Sequence, residues 1–336
     1  MSFSQGEMMS LIGHGWALEY LCKQQRQGSL RHSYLLLGQP QIGKTTLALT
    51  FAAGLLCESA DEPQPCGHCC SCERIRRNTH PDVIVIEPTG ASFTIEQVRD
   101  LEAELPLTPK EKPVKIRILT DFQLATREAQ NALLKTLEEP PAHALLFLTA
   151  SERNLLAPTI VSRCQTLSLR SVPTKEIEAG LLTHGAPPGE AQALSLQAHG
   201  RPGWALRALA DPGLRQRRAE ALRSTKELIG QRRAERLRYS ESLGTQERAS
   251  VLEALGLWKL WWHDLLLIAS GATTGYALTA DEHQDMPTVF TPGDVARFMK
   301  QLNEIEAMIQ RNANIRLALN VLVLRMPYLV SKGTGQ

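Results

Sequence analysis

The chain has 336 residues, 43% of them hydrophobic, with 37 Lys and Arg against 35 Asp and Glu for a formal net charge of +2. This length predicts two or three compact units, and the hydrophobic share excludes a disordered chain. A charge so near balance gives no whole-chain reason to expect nucleic acid or membrane as a partner.

Residues 1–9 lack the basic and apolar segments of a signal peptide. The longest apolar stretch, 251–269, carries Glu253, Lys259, His263 and Asp264, which suits a packed helix rather than a membrane span. A cytoplasmic location is expected. Residues 15–27 read as a short amphipathic helix and 33–37 (SYLLL) as a brief apolar strand. The next segment, Gly38-Gln-Pro-Gln-Ile-Gly43-Lys44-Thr45, has the spacing G-x-x-x-x-G-K-[ST], and 45–56 reads as a helix. A phosphate-cradling loop needs this order, because backbone N–H groups and a helix N-terminus then face the β- and γ-phosphates while Lys44 adds a charge. Gly38, Gly43, Lys44, Thr45 and Thr46 are the expected nucleotide-binding residues, with ATP and Mg²⁺ as the ligand.

Five of the seven cysteines fall between Cys57 and Cys72. In a cytosolic chain such clustering points to metal rather than to disulfides. Cys57, Cys66, Cys69 and Cys72 offer four thiolates for a tetrahedral zinc, with Gly67 giving turn freedom between them. Cys70 is a spare thiol and His68 a competing donor. No base or open coordination position accompanies the cluster, so the zinc is expected to be structural. Cys22 and Cys164 read as small buried hydrophobes.

Further on, 83–86 (VIVI), 114–119 (VKIRIL), 144–149 (ALLFLT) and 166–169 (TLSL) read as strands, alternating with helices at 95–105 and 125–138, the latter stopped by Pro140-Pro141. The alternation predicts an α/β unit with a parallel, doubly wound sheet. Hydrolysis would require a magnesium-holding carboxylate after a hydrophobic strand and a neighbouring Glu to polarise water. The strand ending at Leu119 is followed instead by Thr120-Asp121-Phe122-Gln123. With Asp121 in either role, Thr120 or Phe122 leaves the other role empty. ATP binding without efficient hydrolysis is expected. From Pro173 onward the pattern is helical: a small unit over 174–210, a boundary at Asp211-Pro-Gly213, and long helices over 214–336 broken by a Gly/Thr/Pro-rich loop near 270–293. The expected domains are 1–170, holding the nucleotide loop and the zinc module at 57–72, then 171–212, then 213–336.

The run Ala129-Gln-Asn-Ala-Leu-Leu-Lys-Thr-Leu-Glu-Glu-Pro-Pro141, with Ser162-Arg163-Cys164, Ile12-Gly13-His14 and Arg31-His32-Ser-Tyr34, resembles the bacterial clamp-loader subunits of the AAA+ class. Within that class it is most similar to the delta-prime subunits of DNA polymerase III. The likeness covers about the first 210 residues well, and the rest weakly through Asn314-Ile-Arg-Leu-Ala-Leu-Asn320. Thr120-Asp121 is itself delta-prime-like, where motor subunits have Asp-Glu. The resemblance implies an AAA+ Rossmann-like sheet domain, a small helical lid and a C-terminal helical collar. It implies a hetero-pentameric ring with gamma/tau motor subunits and a delta subunit, which opens a sliding clamp and places it on primed DNA. It also implies a zinc module at the cysteines, and Arg163 as an arginine finger projecting in trans into a motor neighbour's ATP site. A planar, permanently charged guanidinium suits developing phosphoryl charge, and such a finger is worth on the order of 10³–10⁵ in rate. Gly203 falls where a motor subunit's lid carries a nucleotide-sensing arginine. The alternatives are a gamma/tau-type motor that uses Asp121 in an unusual register, and a zinc-bearing module that binds DNA through 215–238.

That basic stretch reads more simply as a solvated helix face. Trp258, Trp261 and Trp262, spaced along one helix face, are expected in a core or subunit interface. His80-Pro81-Asp82 reads as a structural turn, and Glu138-Glu139 as a helix terminus rather than an acid–base pair.

Overall fold

The computed structural model describes residues 11–59, 65–90, 92–272, 290–310 and 313–328. Residues 1–9 and most of the loop expected near 270–293 lie outside this set. The chain divides into two compact units, 1–206 and 207–336.

The first unit runs α1 (Gly15–Arg26), β1 (Ser33–Leu37), α2 (Lys44–Leu56), α3 (Cys70–Arg76), β2 (Val83–Ile86), α4 (Ile95–Glu104), β3 (Lys115–Leu119), α5 (Arg127–Glu138), β4 (Ala144–Ala150), α6 (Pro158–Arg163), β5 (Gln165–Ser168), α7 (Thr174–Thr183), α8 (Pro188–Gln197) and the start of α9 (Pro202–Ala210), a helix that crosses the boundary at 206. The strands form the expected parallel sheet in the order β2-β3-β4-β1-β5. Because side chains alternate across a strand, β1 serves two cores at once. Tyr34 and Leu36 pack with Phe51 and Phe147 on one side, while Leu35 and Leu37 pack with Phe93 and Phe122 on the other. Burial of each such side chain contributes about 1.5–3 kcal/mol. Helix starts follow capping chemistry. The Thr94 hydroxyl accepts from the Gln97 N–H to open α4, and the Thr126 hydroxyl accepts from the Ala129 N–H to open α5 at Arg127, two residues later than the sequence pattern suggests.

Strand β3 contains two cations, yet all five of its residues are buried. Glu104, the last residue of α4, accounts for this. Lys115 Nζ donates to its carboxylate at 2.9 Å, and Arg117 donates from Nε at 2.9 Å and from a terminal nitrogen at 2.6 Å. Beside them, the buried Asp82 carboxylate accepts the backbone N–H groups of Lys110, Glu111 and Lys112 at 2.7, 2.8 and 2.9 Å. His80 Nδ1 accepts the Asp82 N–H at 3.1 Å, so His80-Pro81-Asp82 is indeed a structural turn.

The second unit contains α10 (Pro212–Leu228), α11 (Arg233–Leu243), α12 (Arg248–Ala269), α13 (Pro292–Gln310) and α14 (Ile315–Arg325). Its core is built on Trp258, Trp261 and Trp262, all fully buried, with the Trp262 ring 4.6 Å from that of Phe298. The basic stretch 215–238 departs from a solvated face at two places, since Arg218 and Arg236 are buried. Arg236 donates to the carbonyls of Leu228 at 2.7 Å, Ile229 at 3.0 Å and Met326 at 2.8 Å. The ends of α10 and α14 leave carbonyls without intrahelical donors, and one guanidinium serves both. No helix among the described residues is long and apolar enough to cross a membrane. The further division at 171–212, which separates a lid, stands as a proposal.

Candidate functional site

The glycine-rich loop leaves the C-terminal end of β1, where the Gly38 N–H still donates to the Ala150 carbonyl of β4 at 3.2 Å. Gly43 turns the chain into α2 at φ 108°, a conformation that favours glycine, and no side chain caps the first turn of α2. Those N–H groups are therefore open to an anion. Lys44 Nζ donates to Gly38 O at 2.6 Å and Gln39 O at 3.1 Å. An ammonium has three donors, so one remains for a phosphate oxygen. Burial lowers the Lys44 pKa to about 8, against the pull of the Asp121 carboxylate. Thr45 and Thr46 stand half-buried in the same helical turn. His14 Nε2 donates to Ile42 O at 2.9 Å and braces the loop from the side. Burial depresses the pKa of this imidazole and so favours its neutral form.

The α9 backbone touches the loop directly. The Gly203 N–H donates to Gln41 O at 2.9 Å, and a Cβ on Gly203 would lie only 2.8 Å from that oxygen. Glycine at 203 is thus a condition of the contact between loop and helix.

The positions after β3 are divided in their use. Thr120 is buried, and both its N–H and its hydroxyl donate to Ile86 O, at 3.0 and 3.4 Å. Asp121 is exposed at φ 48°, with its carboxylate accepting from Gln123 Nε2 at 3.2 Å. Phe122, which takes the water-polarising place only in the register where Asp121 holds magnesium, lies in the core against Phe93 with ring centroids 5.3 Å apart. One carboxylate therefore attends the loop without a companion at the next residue.

Arg163 ends α6 and is partly exposed. Its guanidinium pairs with the Glu138 carboxylate and donates to Thr159 O at 3.2 Å. Ser33 Oγ donates to the Arg163 carbonyl at 2.9 Å. Since Tyr34 pairs in register with Gln165, Arg163 sits at the N-terminal edge of the sheet, whereas the loop leaves the C-terminal edge after Leu37. The intervening length of β1 is on the order of 13 Å at ~3.3 Å per residue. Arg163 and the loop of the same chain do not share a site. Cys164 beside it is buried, and burial raises its thiol to about 11; Cys22 is half-buried.

The sulfurs of Cys57, Cys66, Cys69 and Cys72 lie within 4.8 Å of one another. Cys57 follows the last turn of α2, and the others come from the turn into α3, where the N–H groups of Cys69 and Cys72 donate to the sulfurs of Cys66 and Cys69 at 3.3 and 3.4 Å. A tetrahedral zinc with bonds of ~2.3 Å separates its sulfurs by about 3.8 Å, close to the 3.9 Å between Cys57 and Cys69. The His68 N–H lowers the Cys66 thiol to about 6, favouring the thiolate, while burial pushes Cys72 up. The His68 ring turns away to the Cys66 carbonyl at 2.8 Å, and Cys70 is exposed. Cys57 is thus the fourth donor of the group, and the set fits zinc.

Three residues in supporting roles were not evident from sequence: Glu104, Asp82 and Ser33. Each has a partner far along the chain. Asp82 and Ser33 lie within quoted segments, yet neither segment says what the carboxylate or the hydroxyl holds.

Residues 13–173 match the family model described as DNA polymerase III, delta subunit. The delta' subunit of DNA polymerase III from Pseudomonas aeruginosa is 35% identical over 204 residues, 59% of this chain and 61% of the relative. The delta' subunit from Bacillus subtilis is 34% identical over 166 residues, 49% of this chain and 50% of the relative. The tau subunit from Escherichia coli is 34% identical over 168 residues, 50% of this chain and 26% of the relative. The matches thus span from about a quarter to about three fifths of these relatives' lengths. Among solved structures, a DNA polymerase III gamma subunit-related protein from Thermotoga maritima aligns over 92% of this chain and 98% of that chain at 17% identity with a TM-score of 0.40, too weak a likeness to bear on function.

Proposed function

Since residues 13–173 match the model of the DNA polymerase III delta-subunit family, we propose that the chain acts as a non-motor, delta-prime-type subunit of a clamp loader. In this role it binds ATP without turning it over efficiently, and it lends Arg163 to the ATP site of a neighbouring motor subunit. The observation that carries the reading is the placement of Arg163 at the sheet edge opposite its own phosphate loop. A finger so placed serves a nucleotide held by another chain. The partners would be gamma/tau motor subunits and a delta subunit in a hetero-pentamer, which engages a sliding clamp and primed DNA.

Within the chain's own nucleotide site, Gly38, Gly43, Lys44, Thr45 and Thr46 would hold the phosphates. Asp121 would be the one acid near Mg²⁺, with Thr120 engaged by the sheet. The core position of Phe122 and the contact of Gly203 with Gln41 favour binding over turnover. A motor-subunit reading, with Asp121 as the working acid, instead requires hydrolysis by the chain alone that Lys44→Ala abolishes.

The test is steady-state ATP hydrolysis by the chain alone and then titrated into its cognate motor subunits, with Arg163 or Arg163→Ala. Silence alone with stimulation that Arg163→Ala removes supports the proposal, whereas robust turnover by the isolated chain overturns it. The four thiolates would hold one structural zinc. We expect one zinc per chain, retained in Cys70→Ser and lost or weakened in Cys57→Ser, as measured by elemental analysis.

A further inference from the structure

The partner that Arg163 keeps within its own chain suggests how the finger is controlled. Glu138 ends α5, and Arg163 ends α6. Both backbones are pinned by neighbouring residues at the start of β1. His32 Nε2 donates to the carbonyl of Leu137, next to Glu138, at 3.1 Å, and Ser33 Oγ donates to the carbonyl of Arg163 itself at 2.9 Å. Ser33 is fully buried, so its end of the brace is protected from water. The side chains meet in the open, with Arg163 34% and Glu138 51% exposed. The backbones are held, and the ion pair between them is left accessible.

We propose that Glu138 is a holding residue for Arg163: its carboxylate parks the guanidinium until the polyphosphate of a nucleotide bound by a neighbouring chain displaces it, while His32 and Ser33 keep both backbones still so that only side chains move. This rests on the trans role of Arg163 proposed above. The guanidinium fork donates to a carboxylate or to a phosphate alike, and a triphosphate brings more charge than one carboxylate. Exposed pairs of this kind are worth a factor of roughly two to five in an equilibrium, enough to bias the arginine and too little to keep it from a polyphosphate. Glu138 is thus a positioning residue that acts through Arg163.

The experiment uses the complex reconstituted with cognate ATP-hydrolysing subunits, measuring hydrolysis against the concentration of this chain. Glu138→Gln is expected to lower the half-saturating concentration about two- to five-fold, with maximal turnover unchanged and no effect in an Arg163→Ala background. Ser33→Ala is expected to lower maximal turnover without moving half-saturation, and Ser33→Thr, which keeps the hydroxyl, to restore it. Thermal melting of each variant monitors the fold. If Glu138→Gln reduces maximal stimulation, leaves half-saturation unmoved, or acts equally without Arg163, the holding role is overturned. If Arg163→Ala itself has no effect, the trans-arginine reading fails instead.

Discussion

Arg117 and Arg163 each meet a glutamate at the end of a helix, Glu104 closing α4 and Glu138 closing α5, and they meet it in opposite surroundings. The Arg117 side chain is 1% exposed and also donates to the carbonyls of Asp82 and Ile116 at 2.9 and 2.8 Å. The Arg163 side chain is 34% exposed, and its remaining contacts are to Thr159 and Ser162 within its own helix. A buried cation that loses its carboxylate is left uncompensated, so the first pair is permanent for as long as the protein is folded. The second can open without cost to the core. One residue type serves the scaffold in one place and is available for chemistry in the other.

The comparison can be broken most directly at Arg163. Arg163→Ala should lower hydrolysis by the neighbouring motor on the order of 10³-fold or more, while shifting stability by no more than about 0.5 kcal/mol in denaturant unfolding. A variant that also unfolds would make Arg163 a scaffold residue like Arg117. Glu104→Ala should do the reverse, destabilising the first unit by about 3 kcal/mol because Lys115 and Arg117 both lose their partner. The same pair sharpens under acid. Burial alone would raise the Glu104 carboxyl, but hydrogen bonds from Arg117 and Lys115 hold it below its ordinary 4.5. Its stabilisation is therefore present above pH 4.5 and lost as pH falls through the lower folded value, so Glu104→Gln should flatten the acid limb of the stability curve.

Lys44 lies between the two cases, buried like Arg117 yet proposed, like Arg163, to meet a nucleotide. Its pKa of about 8 against an ordinary 10.5 means that the unfolded chain holds more protons between these values. Stability of the nucleotide-free protein should accordingly rise with pH across that window. Nucleotide affinity should fall above pH 8 as the charge is lost, and Lys44→Ala should show neither trend. Binding titrations at pH 7 and 9 would check this.

Much of this was legible in the sequence because the signals are local. The loop motif occupies eight consecutive residues, the four clustered cysteines fall within sixteen, and β1, β2 and β4 are short apolar runs. What escaped depends on partners distant along the chain. The sequence does not say what answers the cations Lys115 and Arg117 until Glu104 is brought beside them, and the basic stretch at 215–238 suggests a solvated face until Arg236 is turned onto the carbonyls ending α10 and α14. The motif Arg31-His32-Ser33-Tyr34 signals kinship, yet only the fold shows two of its side chains bracing the ends of α5 and α6. Periodicity reports which face is apolar, and it carries no information on which charge answers which.

The close approach of Gly203 to Gln41 has a consequence for descent. Any side chain at 203 must push its Cβ against a backbone oxygen 2.8 Å away, so no substitution there is accommodated without the helix first withdrawing from the loop. The glycine works as a ratchet: a residue with a side chain is admitted at 203 only after a second change, made in advance, has moved the helix.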